Sequence, residues 1–371
     1  MRFLLFATLF LSVLIILTLY ISKRFVNKLH FQTRYKKLFN IFLWFNLLGV
    51  FGYLLVRYFP VVPNFIYFLL SIPIGIIFLL FTTTLIYEFF TYCIHVGTKS
   101  NTRREFFKKS LDFGALALAS GINAKAMYNA KHLEIESVTV KLKNLKKSYT
   151  LVQLSDVHIG GLIDKKFMAS LVAKINAIKC DAVVITGDLI DTDIKYAKEA
   201  LDELKNIQTT YGTFFVVGNH EYLHTISVLI EYLTHIGIRV LQNENVYIGN
   251  NNEGFNLVGV HDIMGYRMGQ FEPDIKQALT HIQDTSPTVL LAHQPKYIKE
   301  VPQSVDLVLS GHTHGGQLFP FNFLVKLEQP YVKGLHQHND FTQIYVSKGT
   351  GFWGPPMRLG ASSEMTVLTL I

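Results

Sequence analysis

The stretch DLVLSGHTHGG, residues 306–316, decides how the second half of the chain reads. Residues 306–310 are the short apolar run of a buried strand, and the run stops at Gly311-His312-Thr313-His314-Gly315-Gly316, where two imidazoles follow at once. Working outward, the same design recurs. Residues 150–155 (TLVQLS) end at Asp156-Val157-His158, residues 182–186 (AVVIT) at Gly187-Asp188, and residues 213–217 (TFFVV) at Gly218-Asn219-His220-Glu221. Residues 288–292 (TVLLA) end at His293. Between these runs, residues 166–178, 196–207, 224–236 and 273–282 carry the apolar spacing of helices, so the region from about residue 137 reads as an α/β domain.

In open α/β sheets ligands bind at the carboxyl ends of the strands. A single histidine after a strand is ordinary structure, but two aspartates and five histidines gathered at one sheet edge cannot be buried cheaply without a cation. The mixture of oxygen and imidazole donors without thiolate suits Mn, Fe or Zn in a two-metal arrangement. Gly187, Gly218 and Gly311, which precede Asp188, Asn219 and His312, permit sharp turns and close backbone approach. With only Cys93 and Cys180, far apart in the chain, neither a disulfide framework nor a thiolate metal site is expected.

The ordered set D-x-H, G-D, G-N-H-E, H and G-H-x-H resembles the calcineurin-like metallophosphoesterase superfamily, and over residues 137–371 no motif is missing. The closing stretch 349–358 (GTGFWGPPMR) is similar to the final loop of its membrane-anchored bacterial branch, with Arg358 either facing a phosphate or making a structural ion pair. The resemblance implies a four-layer α/β/β/α sandwich. It also implies that Asp156, His158, Asp188 and His314 bind one divalent cation, while Asp188, Asn219, His293 and His312 bind a second, with Asp188 bridging. His220 then contacts the phosphate and assists the leaving group, and a hydroxide between the metals attacks phosphorus. Glu221 either orients His220 or its surroundings or plays a surface role, and His224, His261, Asp262 and His281 are structural by default.

The front of the chain is of another kind. Half of all residues are apolar and 17% are charged, too apolar for an ordinary soluble enzyme. Residues 3–22, 38–56 and 65–87 are each long enough for a helix to cross the ~30 Å hydrocarbon layer, the third with a kink at Pro73. Lys23, Arg24, Lys28, Arg34, Lys36 and Lys37 follow the first run, only Arg57 lies in the link after the second, and Lys99, Arg103, Arg104, Lys108 and Lys109 follow the third. The positive-inside rule then places the N-terminus outside and residue 100 inside. The expected organisation is a transmembrane region over 1–95, a basic linker over 96–135 and a catalytic domain over 136–371.

Residues 111–126 (LDFGALALASGINAKA) have two readings. Preceded by Thr102-Arg103-Arg104-Glu105-Phe106-Phe107-Lys108, they resemble a twin-arginine export signal, which puts the catalytic domain outside the cytoplasm, the expected side; the alternative, a plain basic juxtamembrane segment, leaves it inside.

Charge sorts the partners. Residues 1–150 carry 19 Lys and Arg against 5 Asp and Glu, and residues 151–371 carry 16 against 22, so the half with the motifs is acidic and nucleic acid is not expected. A membrane bilayer and a phosphoester are the expected partners; oligomeric state is not legible. The apolar segment 317–325 (QLFPFNFLV) reads as core packing beneath a loop or as an exposed lip for a membrane-embedded substrate. The function this supports is hydrolysis of a phosphodiester or pyrophosphate, with a lipid-linked substrate in view. A broad envelope phosphomonoesterase and an inactive membrane receptor or scaffold are the alternatives.

Overall fold

The structure is a computed structural model and describes residues 2–56, 62–283 and 285–371, so Arg57 lies outside the described residues. The chain divides into two compact units. One comprises Met1–Asn129 with Gly354–Leu359, the other Ala130–Trp353 with Gly360–Ile371. The segment Gly354–Leu359, which the sequence reading counts within the catalytic domain, thus groups with the first unit.

The first unit is helical: α1 (Arg2–Arg24), α2 (Thr33–Val56), α3 (Asn64–Gly97) and α4 (Asn101–Lys131). Three of these helices, α1 to α3, are long and apolar enough to cross a membrane. Pro73 lies inside α3. Small residues let α2 and α3 approach: a Cβ at Gly49 would sit 2.9 Å from Pro73 Cγ. The doubtful segment 111–126 is part of the continuous α4. There Asp112 is buried and accepts from Tyr87 Oη at 2.7 Å and from the His30 amide at 2.7 Å, which fixes α4 to this unit through polar contacts. Arg358 is buried in the same unit. Its amide donates to the Ala126 carbonyl and its own carbonyl accepts from Asn129 Nδ2, so its backbone is held by the helical unit.

The second unit contains two six-stranded mixed sheets. One runs β1 (Glu134–Val140), β12 (Glu364–Leu370), β2 (Tyr149–Leu154), β3 (Ala182–Thr186), β4 (Thr213–Val216), β5 (Arg239–Val240). The other runs β10 (Gly334–Gln337), β11 (Gln343–Val346), β9 (Leu307–Ser310), β8 (Thr288–Leu291), β7 (Phe255–Gly259), β6 (Glu244–Ile248). Strand alternation builds the layers. Leu151, Val184 and Phe214 of the first sheet meet Leu257, Val289 and Leu309 of the second in one buried core. On the outer face of the first sheet, Val152, Val183 and Phe215 pack beneath α5 (Lys165–Ile178), α6 (Ile194–Leu201) and α7 (Ile226–His235). Outside the second sheet, Val258, Leu290 and Val308 are covered by Ala278, Tyr297 and Ile298 from short helical turns. The expected four layers of an α/β/β/α sandwich are therefore present, the last layer being thin.

Candidate metal centre

Both sheets contribute to one cluster. β2, β3 and β4 of the first deliver Asp156 and His158, Asp188, and Asn219 and His220; β8 and β9 of the second deliver His293, His312 and His314. The backbone is bent hard at these points. Asp156, His158, Asp188, His312 and His314 all take positive φ, between 50° and 68°, a region non-glycine residues enter at a cost and that gathers at functional sites. In D-x-H and H-x-H alike, the two side chains that matter share this twist. Gly218 and Gly311 serve the close approach expected of them: a Cβ at Gly218 would lie 2.3 Å from Asp188 Oδ1, and one at Gly311 2.3 Å from Asp156 Oδ2. They make room for the carboxylates.

Three donor groups result among the described residues. Asp156, His158 and His314 place ligand atoms within 4.8 Å of one another, so do Asp188, His293 and His312, and so do His158, Asp191 and His220. In the first, His158 Nδ1 donates to Asp191 Oδ1 at 2.7 Å, which leaves its Nε2 lone pair facing His314 Nε2 at 3.0 Å. Asp156 stands 3.4 Å from His314 Nε2 and accepts from the His312 amide at 2.9 Å and the Ser155 hydroxyl at 2.6 Å. In the second, His293 Nδ1 donates to the Thr186 carbonyl at 2.7 Å, so Nε2 faces Asp188 Oδ2 at 3.2 Å and Asn219 Oδ1 at 3.0 Å. A lone pair among acceptor oxygens needs a proton or a cation between them, and this donor chemistry fits a divalent cation. His312 closes the group, its ring edge-on to His293 at 5.2 Å.

The electrostatics agree. Burial opposes charge on Asp188, but the imidazoles of His293, His220 and His158 outweigh it and hold its carboxyl below the ordinary carboxylate range. Burial likewise works against the His293 cation, yet the carboxylates of Asp188, Asp156 and Asp262 raise its basicity. His312 goes the other way, down to about 3, because burial and the neighbouring His293 charge both disfavour its cation. The neutral His312 ring keeps a lone pair available.

All eight residues singled out by sequence come to this region, with two further carboxylates beside them: Asp191, which the motifs do not include, and Glu221, for which the orienting reading holds. Asp191 lies three residues beyond Asp188 on the same turn and accepts from His220 Nδ1 at 2.6 Å as well as from His158. Its spacing in Gly187-Asp188-Leu189-Ile190-Asp191 was the only available signal. Glu221 is completely buried, which removes the surface reading. Its carboxylate accepts from the amides of Gly218 at 2.6 Å, Leu189 at 2.8 Å, Asp188 at 3.0 Å and Ile190 at 3.3 Å, tying the Asp188 turn to the Asn219 turn. Burial beside the Asp188 carboxylate pushes Glu221 up to about 7 in spite of those amides.

Sequence comparison meets this geometry directly. The profile described as calcineurin-like phosphoesterase matches residues 149–316, the span from β2 to the last histidine loop. An uncharacterised metallophosphoesterase of Helicobacter pylori is 39% identical over 334 residues, covering 89% of each chain. The chain belongs to the calcineurin-like metallophosphoesterase family. A Campylobacter jejuni metallophosphoesterase is 34% identical across 100% of this chain and 99% of its own. A Bos taurus transmembrane protein with a metallophosphoesterase domain is 33% identical over 74% of this chain and 65% of its own. This metallophosphoesterase is accordingly a metal-dependent phosphoric ester hydrolase.

Segment 317–325 packs as core only at Leu318. Phe319, Phe321, Phe323 and Leu324 are exposed, and Leu327 in the short helix Asn322–Glu328 is 84% exposed. His261 and Asp262, left as structural residues, are both buried, Asp262 accepting from Gln294 Nε2 at 2.9 Å.

Proposed function

We propose that the enzyme holds two divalent cations, Mn, Fe or Zn, and hydrolyses a phosphodiester or pyrophosphate bond, with a lipid-linked molecule as substrate. The observation that carries this reading is the pair of adjoining donor groups, Asp156–His158–His314 and Asp188–His293–His312, with Asn219 beside the second. Asp188 is the carboxylate we assign to both groups: it is 3.2 Å from His293, and the His158 imidazole is among the charges that lower its carboxyl. When bound, such a pair of cations lowers the pKa of a shared water and neutralises charge on the phosphoryl oxygens.

The chain's own residues supply the rest. His220, with Nδ1 committed to Asp191, turns Nε2 toward the Asp188 carboxylate 3.8 Å away, at the rim of the donor groups, where it can hand a proton to the departing oxygen. Glu221 and Asp191 fix the two turns and two rings on which this depends. The exposed strip from Phe319 to Leu327 and the three bilayer-length helices support a substrate with an apolar portion.

Purified full-length protein in detergent micelles, loaded with Mn²⁺, is to be assayed with bis-(p-nitrophenyl) phosphate and p-nitrophenyl phosphate. The diester is expected to be cleaved faster. Preference for the monoester identifies a phosphomonoesterase; cleavage of neither, with Asp188→Asn leaving metal content unchanged, overturns the enzyme reading in favour of a receptor or scaffold.

We infer further that the chain is a multi-pass membrane protein with the second unit outside the cytoplasm, carried there by the Arg103-Arg104 segment acting as an export signal. Reporter fusions after residues 100 and 135 should give opposite signals; matching cytoplasmic signals place the second unit inside.

A further inference from the structure

The loop after β11 is laid directly along the first motif. The Thr350 amide donates to the Ser155 carbonyl at 2.7 Å and the Gly351 amide to the Asp156 carbonyl at 3.0 Å. At Gly351 a Cβ would stand 2.0 Å from the Val157 carbonyl oxygen, so this strand of the loop has no room to carry a side chain. Two residues on, the loop is gripped from the other sheet. Gln317 Nε2 donates to the Trp353 carbonyl at 2.8 Å, and the Trp353 amide donates back to Gln317 Oε1 at 2.9 Å. Gln317 directly follows the His312–Gly316 turn and is itself held at φ 47°. Both turns that carry the Asp156 and His314 motifs therefore fix the Trp353 backbone.

The consequence is the position of the indole. Its ring stands edge-to-face to His220, centroids 6.3 Å apart and planes at 90°, while 37% of the residue remains exposed. A large aromatic surface thus adjoins the one imidazole placed to meet a leaving group, in a pocket whose other groups are carboxylates and imidazoles suited to the phosphoryl oxygens. From Gln317 the chain runs straight into exposed Phe319, whose ring packs edge-to-face with Phe323 at 5.8 Å.

We propose that Trp353, positioned by Gln317, forms the wall of a leaving-group subsite that selects phosphoesters whose departing group is apolar or aromatic at the carbon attached to oxygen. The inference rests on the phosphoesterase reading and deepens it. Ring-on-ring contact supplies the discrimination: a pair of aromatic groups at such spacing gains enough beyond simple burial to change affinity by about fivefold.

The test separates the two claims. Mn²⁺-loaded full-length protein is titrated calorimetrically with phenylphosphonate and with methylphosphonate, which share the phosphonate and differ in the group at phosphorus. Wild type is expected to prefer the phenyl compound by about fivefold or more. Trp353→Ala is expected to bring the two affinities together without weakening methylphosphonate, Trp353→Phe to keep most of the preference, and Gln317→Ala to lose part of it. In turnover, Trp353→Ala should raise KM for bis-(p-nitrophenyl) phosphate by about the factor lost in phenylphosphonate affinity. Equal affinities in wild type, or a preference that survives Trp353→Ala, overturns the proposal. Wild type that binds both phosphonates with the expected ratio yet hydrolyses no ester overturns the phosphoesterase reading and leaves the subsite standing.

Discussion

Asp191 receives the His220 Nδ1 proton at 2.6 Å on Oδ1, the same oxygen that accepts from His158 Nδ1 at 2.7 Å. One carboxylate oxygen therefore orients a ring of the first donor group and the ring assigned to the leaving group. Burial opposes the Asp191 charge, but the two imidazoles outweigh it and keep the carboxyl well below the usual range. Asp191→Asn preserves shape and removes charge. Because partners behind metal-binding histidines typically account for 10- to 100-fold in affinity or activity, kcat should fall by about that factor and bound metal should decrease. Steady-state kinetics with plasma emission analysis of metal content checks both; unchanged values mean that Asp191 is a bystander.

Gly218→Ala probes close approach. The new Cβ would fall 2.3 Å from Asp188 Oδ1 and 2.5 Å from the Asp188 amide. Neither can retreat, since the amide is bonded to Glu221 and Oδ1 accepts from the His220 amide. Activity should drop by about two orders of magnitude, the scale on which small misplacements of catalytic groups act, with circular dichroism unchanged. Retention of full activity would show that the Asp188 turn can yield.

Glu221→Gln replaces one acceptor oxygen of a four-amide clamp with a donor. At least one buried amide then faces an N–H group, a loss of about 1–3 kcal/mol. The unfolding temperature measured by intrinsic fluorescence should fall, and metal retention with it. A variant as stable as wild type would mean that the clamp contributes nothing.

Stability against pH should expose two opposed groups in one loop. Burial takes His261 down to about 4 from 6.5, so the unfolded chain binds more protons between those values and stability rises with pH across that window. Burial takes Asp262 up to about 6 from 3.8, only partly countered by the His293 charge, so here the folded chain binds more protons and stability falls as pH rises from 3.8 to 6. Each effect amounts to about 3 kcal/mol at most, and in wild type they nearly cancel. His261→Asn should leave a protein whose melting temperature declines from pH 4 to 6; Asp262→Asn should leave one whose melting temperature climbs from pH 4 to 6.5. Parallel curves for wild type and both variants would contradict the assignment.

Much of this was legible in the residues. The runs at 150–155, 182–186, 213–217, 288–292 and 306–310 become β2, β3, β4, β8 and β9 because continuous β-branched stretches can be buried on both faces. The edge strands were not visible: β5 has two residues and β10 reads GLHQ, and both take their order from a neighbour rather than from their own pattern. Asp191 could not be found by motif, because its importance arises only when folding brings His158 and His220 to one oxygen. Likewise nothing in Gly218-Asn219-His220-Glu221 says that the last residue turns inward to meet four amides.

β12 lies between β1 and β2, pairing in parallel with the former through Glu134↔Glu364 to Val140↔Leu370 and antiparallel with the latter. During translation the first sheet therefore stays open until residues 364–370 have left the ribosome, long after α1 to α3 are available for insertion. Throughout that interval the facing edges of β1 and β2 are unsaturated, and the nascent chain offers chaperones and proteases a half-built sheet.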